Sequence, residues 1–198
     1  DFPCGMQQEL ARPLAYLWAV PFAGNSYHRR PRVRDWLEAV FRYHGRCMHR
    51  DGSLDDYFPQ ERAFGATAYA LAALTDAALL TGLCPQDTLP ALETSGRFLA
   101  SYREAGNLSN HLAIAACALA GLHQLTGKPG WLEESDRLVG ELIAQQHAEG
   151  WFPEYEGCDI GYQTVTIEFL ARRWQMAPSE AIFERLERAV RFVRAFAH

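Results

Sequence analysis

Apolar residues recur three and four positions apart through most of the chain, and Gly-, Pro- and Asp/Asn-containing stretches interrupt them at regular distances. This pattern predicts helices near residues 6–19, 33–49, 64–81, 88–104, 110–126, 130–148, 161–175 and 179–197, which form four consecutive hairpins. Comparing the hairpins reveals an internal repeat. An amphipathic helix ends near a glycine, a polar and aromatic loop follows, and a helix of small and apolar residues comes next. The glycines are Gly52, Gly106 and Gly150.

Helices that follow these loops have little polar face and are expected to be inner and buried. The segment Trp131 to His147, with Glu133, Glu134, Asp136, Arg137, Glu141 and Gln145, has a charged face and is expected to be outer. Stacked hairpins of this kind bury a shared core and curve. The expected fold is all-α: one domain over residues 1–198, an α/α-hairpin toroid or open arc, with the three polar loops collected at one rim. A closed toroid of six hairpins needs roughly a hundred residues more, so an incomplete ring or a portion of a longer chain is expected.

Composition narrows the functional classes. With 48% hydrophobic and 22% charged residues in 198, the chain has ordinary globular composition. The apolar runs at 66–74 and 112–122 are interrupted by Thr, Gly and His and fall short of a membrane span of about 20 residues, so no membrane is expected as partner. The first residues lack the basic and apolar regions of a signal peptide. The expected location is cytoplasmic, or periplasmic or secreted if a leader has been removed. Five widely spaced cysteines show no metal-site spacing and are read as mostly free thiols, with Cys117 a small buried hydrophobe. A net charge of −5 argues against nucleic acid as partner, although His28, Arg29, Arg30, Arg32 and Arg34 are locally basic. That run suits either an acidic ligand or a solvated approach to a helix. No metal and no cofactor are expected: phosphate loops, H-E-x-x-H and G-x-S-x-G are absent from the sequence.

The candidate chemistry lies in the three loops. Asn110 and His111 stand where an inner helix begins and where free backbone N–H groups favour an anion; Asn110 equally suits a helix cap. Trp151, Phe152, Glu154, Tyr155, Glu156, Asp159, Tyr162 and Gln163 combine aromatic faces with carboxyl and amide groups, the usual lining of a sugar site. Packing of Trp151 and Phe152 beneath the loop, and a helix-start role for Asp159 or Asp87, are the plainer alternatives. Asp51, Asp55, Asp56, Tyr57, Glu61 and Arg62 offer an acid/base pair and a bidentate carboxylate binder, or simply a polar turn with surface ion pairs.

Ser-Asn-His at 109–111, Gly-Tyr-Gln at 161–163 about one hairpin later, and the hairpin repeat resemble the helical domain of the heparinase II/III-like and alginate lyase superfamily, over roughly residues 45–175. That resemblance implies an α/α toroid followed by a β-sandwich, the latter absent from this sequence, and cleavage of uronic-acid polysaccharides by β-elimination. It further implies that Asn110 neutralises the uronate carboxylate, while His111 and Tyr162 share proton abstraction and donation to the leaving oxygen. Arg62 and Gln163 are second candidates for the carboxylate, and Tyr57, Glu61, Trp151, Glu154, Tyr155 and Asp159 are expected to line the substrate site. The expected partner is a polysaccharide or oligosaccharide of modest negative charge. Two rivals share the fold. One is a glycoside hydrolase pairing Glu61, Asp55 or Asp56 with Glu154, Glu156 or Asp159; the other is a non-catalytic arc that binds carbohydrate or protein.

Overall fold

A computed structural model describes residues 3–197. Among them there are eight α-helices and no strand, as the periodicity predicts: α1 (Ala11–Ala19), α2 (Pro31–Cys47), α3 (Phe64–Thr81), α4 (Leu89–Ser101), α5 (Ser109–Thr126), α6 (Pro129–Ala144), α7 (Ile160–Met176) and α8 (Glu180–Arg194). A 3-10 turn, Gly5–Leu10, leads into α1. Proline opens α2 and α6, where its fixed φ suits the first turn and its missing N–H costs no hydrogen bond.

Helices α1, α3, α5 and α7 form a row: α3 lies against α1 and α5, and α5 lies against α7. The intervening helices flank this row, with α2 on α1, α4 on α3 and α5, α6 on α5, and α8 on α7. The sequence explains which helices are interior. Most side chains of α3 and α5 are Ala, Leu, Ile, Thr or Cys, and burial extends around nearly their whole circumference. Small residues set the spacing between them: a methyl group at Gly121 would stand 2.5 Å from Thr75 Oγ1. By length and composition α3 is apolar enough to cross a membrane, but 72% of that window is buried inside this fold.

Helix α7, expected to be buried like α3 and α5, is covered on one side only: Gln163, Thr166, Phe169, Leu170 and Arg173 are buried, whereas Thr164 and Glu168 are exposed. Among the described residues it is the last helix of the row, and α5 covers it on one side only. Its buried Arg173 ties α7 to α6, donating from Nε to Ser135 Oγ at 2.6 Å and pairing with Asp136; Nη1 reaches the Ala177 carbonyl at 2.9 Å. A guanidinium survives there because each of its nitrogens has a partner. All five cysteines are free thiols, and Cys117 is buried in α5, its pKa pushed up to about 12 by burial. The basic run is spent locally: Arg29 lies over the Trp18 ring at 3.8 Å, Arg32 over Trp36 at 5.0 Å, and Arg34 pairs with Glu38 at 3.0 Å.

Candidate functional site at the rim

The loops before α3, α5 and α7 begin with the same backbone device. Gly52, Gly106 and Gly150 have φ of 93°, 94° and 108°, a region that side chains disfavour. Two of the turns match bond for bond. His49 N–H donates to Ser53 O and Gly52 N–H to His49 O, while His147 N–H donates to Trp151 O and Gly150 N–H to His147 O. Both glycines also press against the backbone of an outer helix, Gly52 on Thr94 of α4 and Gly150 on Arg188 of α8, where any Cβ would collide. Beyond each glycine the chain reads Gly-x-apolar-x-Asp/Asn/Glu: Gly52 to Asp56, Gly106 to Asn110 and Gly150 to Glu154. The apolar member is buried for Leu54 and Phe152 and half-buried for Leu108. Asp56, Asn110 and Glu154 thus stand at matching places in the repeat.

Hydrogen bonds join the loops before α5 and α7 at one end of the helix row. Leu108 bridges Glu154, Ser109 Oγ donates to Pro153 O at 2.5 Å, and Tyr155 N–H donates to Asn107 O at 2.7 Å. The Glu154 carboxyl, 4% exposed, accepts the Asn110 N–H at 3.3 Å and supplies the negative group at the start of α5 that no side chain of the N-cap residue, Leu108, provides. Its other oxygen, Oε1, has no hydrogen-bond partner among the described residues. Burial raises the Glu154 pKa, and the Asn110 N–H and His111 act against that rise. Asp56 is also raised, chiefly by burial and against the pull of Cys4, with Glu61 adding to the rise and His111 opposing it.

Asn110 is not the cap of α5. It lies in the first turn, 2% exposed, with Oδ1 accepting from His111 N–H at 2.8 Å and its side chain near enough to the Tyr69 hydroxyl to lower the Tyr69 pKa. Against that pull Tyr69, from the second turn of α3, has its pKa pushed up to about 12 by burial and by Glu9, Tyr162 and Glu154 nearby. His111 lies with its ring over Gly65, in the first turn of α3, where an added methyl would meet Cε1 and Nε2 at 2.5 Å. Its Nδ1 is 2.7 Å from Glu104 Oε2, and no hydrogen bond to Nε2 is found among the described residues. Tyr162 sits in the first turn of α7, its N–H bonded to Asp159 Oδ1 at 2.9 Å, so Asp159 is the cap of that helix. The Tyr155 ring meets Tyr162 edge-on at 6.0 Å, and Tyr162 is the largest cause of the raised Tyr155 pKa. Tyr57 stands 76% exposed and near enough to Tyr155 to raise it further.

Other residues of the expected site are occupied in holding loops. Gln163 Oε1 accepts the Phe152 N–H at 2.9 Å from a buried position. Glu61 Oε2 accepts three successive backbone N–H groups, those of Asp56, Tyr57 and Phe58. Asp55 is held by His49 and by the amides of Gln60 and Arg62. Arg62 pairs with Asp51 at 3.1 Å. Trp151 stacks on His147 at 4.3 Å and donates its indole N–H to Glu149.

Tyr69, Glu104 and Gly65 are additions that helix periodicity does not predict. The five-residue Gly-x-apolar-x-Asp/Asn/Glu repeat was a legible signal for Asp56 and Glu154 as counterparts of Asn110. A cleft of about 550 Å³ lies elsewhere, between α1, α3 and α7, and is lined by Arg12, Asp76 and Arg172 with Tyr16, Leu79, Leu80 and Met176. Its guanidinium and carboxylate groups are paired with one another. A smaller hollow of about 180 Å³ shares Arg12 with it and reaches the rim at Tyr69 and Glu9. The chemistry-bearing groups gather at the rim, and we take the rim as the site. No protein-family model and no curated protein sequence matches the chain.

Proposed function

We propose that the rim is the site of a polysaccharide lyase acting on a uronic-acid-containing polymer by β-elimination, on helices arranged as an open α/α toroid. One observation carries the reading: His111 is held by Glu104 with no hydrogen bond to Nε2 among the described residues, directly beside Asn110 and at the same rim as the hydroxyls of Tyr69 and Tyr162. Elimination needs a base at C5, a donor to the leaving oxygen on C4, and groups that stabilise the carboxylate as charge builds on it. In this reading Nε2 takes the C5 proton, and the C5–H electrons delocalise into the carboxylate. They then form the C4–C5 double bond as the bond from C4 to the leaving oxygen breaks, and that oxygen receives a proton from the Tyr162 hydroxyl. The Asn110 amide, set at the positive end of α5, stabilises the developing dianion. Tyr57 and Tyr155 offer exposed faces to sugar rings. With Asp56, Glu104 and Glu154 around His111, the rim suits a polymer of modest rather than dense negative charge.

A separate observation favours a second reading, a glycoside hydrolase. Of the loop carboxyls, Asp56 and Glu154 are raised, stand at matching repeat positions and both respond to His111. A raised carboxyl is what a general acid needs. Mass spectrometry of the oligosaccharides released from uronic-acid polymers separates the two. Elimination gives new non-reducing ends lighter by one water than those of hydrolysis, and products of full hydrolytic mass would replace the lyase reading with the second.

A further inference from the structure

We propose that Glu104 is the positioning residue of His111, fixing the imidazole as the tautomer with a proton on Nδ1 and a bare Nε2. The inference rests on the reading of His111 as an acid–base group at the rim, but its first test does not. A carboxylate only accepts hydrogen bonds, so the 2.7 Å contact between Glu104 Oε2 and His111 Nδ1 requires the proton to sit on Nδ1 in the neutral ring. The lone pair is then on Nε2, the nitrogen for which no hydrogen bond is found among the described residues.

Two further contacts hold His111, one at its ring and one at its backbone. Its face rests on Gly65, where the Cβ of any other residue would strike Cε1 and Nε2 at 2.5 Å, and the His111 backbone N–H is taken by Asn110 Oδ1 at 2.8 Å. Three elements therefore meet on one imidazole: the loop after α4 supplies Glu104, α3 supplies the bare backbone of Gly65, and α5 carries the ring itself. Glu104 is only half-buried and lies outside the helices, so it contributes little to the core. When Nε2 takes a proton from a substrate, the resulting imidazolium is paired at once with the Glu104 carboxylate. This is the general arrangement by which a carboxylate orients a histidine base.

The test is long-range proton–nitrogen correlation NMR of histidine-labelled protein at a pH where the ring is neutral. The His111 signals are identified by their loss in His111→Ala. The protein as it stands is expected to show Nδ1 protonated and Nε2 bare. Glu104→Gln, whose carbonyl oxygen still accepts from Nδ1, is expected to keep that tautomer, and Glu104→Leu to lose it. An Nε2-protonated ring in the parent, or an unchanged pattern in Glu104→Leu, would overturn the proposal whatever the enzyme's activity. On a polymer that the protein cleaves, Glu104→Leu is expected to lower kcat by about 10- to 100-fold with KM little changed, and Glu104→Gln to recover most of it. Equal losses in both variants, or a change confined to KM, would also count against it.

Discussion

His44 shows what a single side chain imposes on this protein. Its ring is fully buried between Gln8, 2.6 Å from Nδ1, and Ser95, 3.0 Å from Nε2, and burial lowers its pKa to about 4 from the ordinary 6.5. The folded state thus resists a proton that the unfolded chain accepts. Stability is complete above about pH 6.5 and falls as pH drops toward about 4, by about 3 kcal/mol in all. Glu9, Asp56 and Glu154, raised mainly by burial, act in the opposite sense: their contribution is present at low pH and is lost as pH rises above the ordinary carboxyl range. Comparing urea denaturation of the parent and His44→Gln at several pH values isolates the histidine. The variant is expected to be less stable at neutral pH and to show a shallower loss on acidification. Parallel pH curves would show that His44 is not a buried neutral group.

At the scale of elements, the contact between α3 and α5 depends on a missing side chain. Gly121→Ala would set a methyl group 2.5 Å from Thr75 Oγ1, and the helices must separate or Thr75 must turn. We expect a loss of about 1–3 kcal/mol in thermal or chemical denaturation, with recovery in the double variant Gly121→Ala/Thr75→Ala. All eight helices were legible because a core-facing stripe repeats at the helical period whatever the partner. Two ends were not. Periodicity carries α4 to residue 104 and α6 to residue 148, whereas they stop at Ser101 and Ala144. Beyond those points Glu104 bonds His111, and His147 closes the Gly150 turn and stacks on Trp151. These are tertiary contacts that no local window contains. The same holds for Tyr69, whose sequence neighbours are ordinary core residues and whose hydroxyl acquires a role only when α5 brings Asn110 to it. Asn110, His111 and Tyr162 were legible as residues at the starts of successive row helices because the Gly-anchored loops recur along the chain; the loop-holding work of Gln163, Glu61 and Trp151 was not, since it consists of bonds to backbone or side chains of the adjoining loop.

For the molecule as a whole, the fold separates two tasks. The interior of α3 and α5 supplies stability through small, close-packed residues and carries almost no charge, while the candidate side chains stand at the beginnings of α3, α5 and α7. Our account assigns elimination chemistry to that rim. Its central claim is tested most directly by following the ultraviolet absorbance of the unsaturated uronate product, with the parent protein, His111→Ala and Tyr162→Phe side by side on a panel of uronic-acid polysaccharides. The account predicts a steady rise for the parent on at least one polymer of modest charge, and a fall of roughly 100-fold or more in the rate for each variant. A rise that both variants retain, or reducing ends released by the parent with no rise in absorbance, would contradict it.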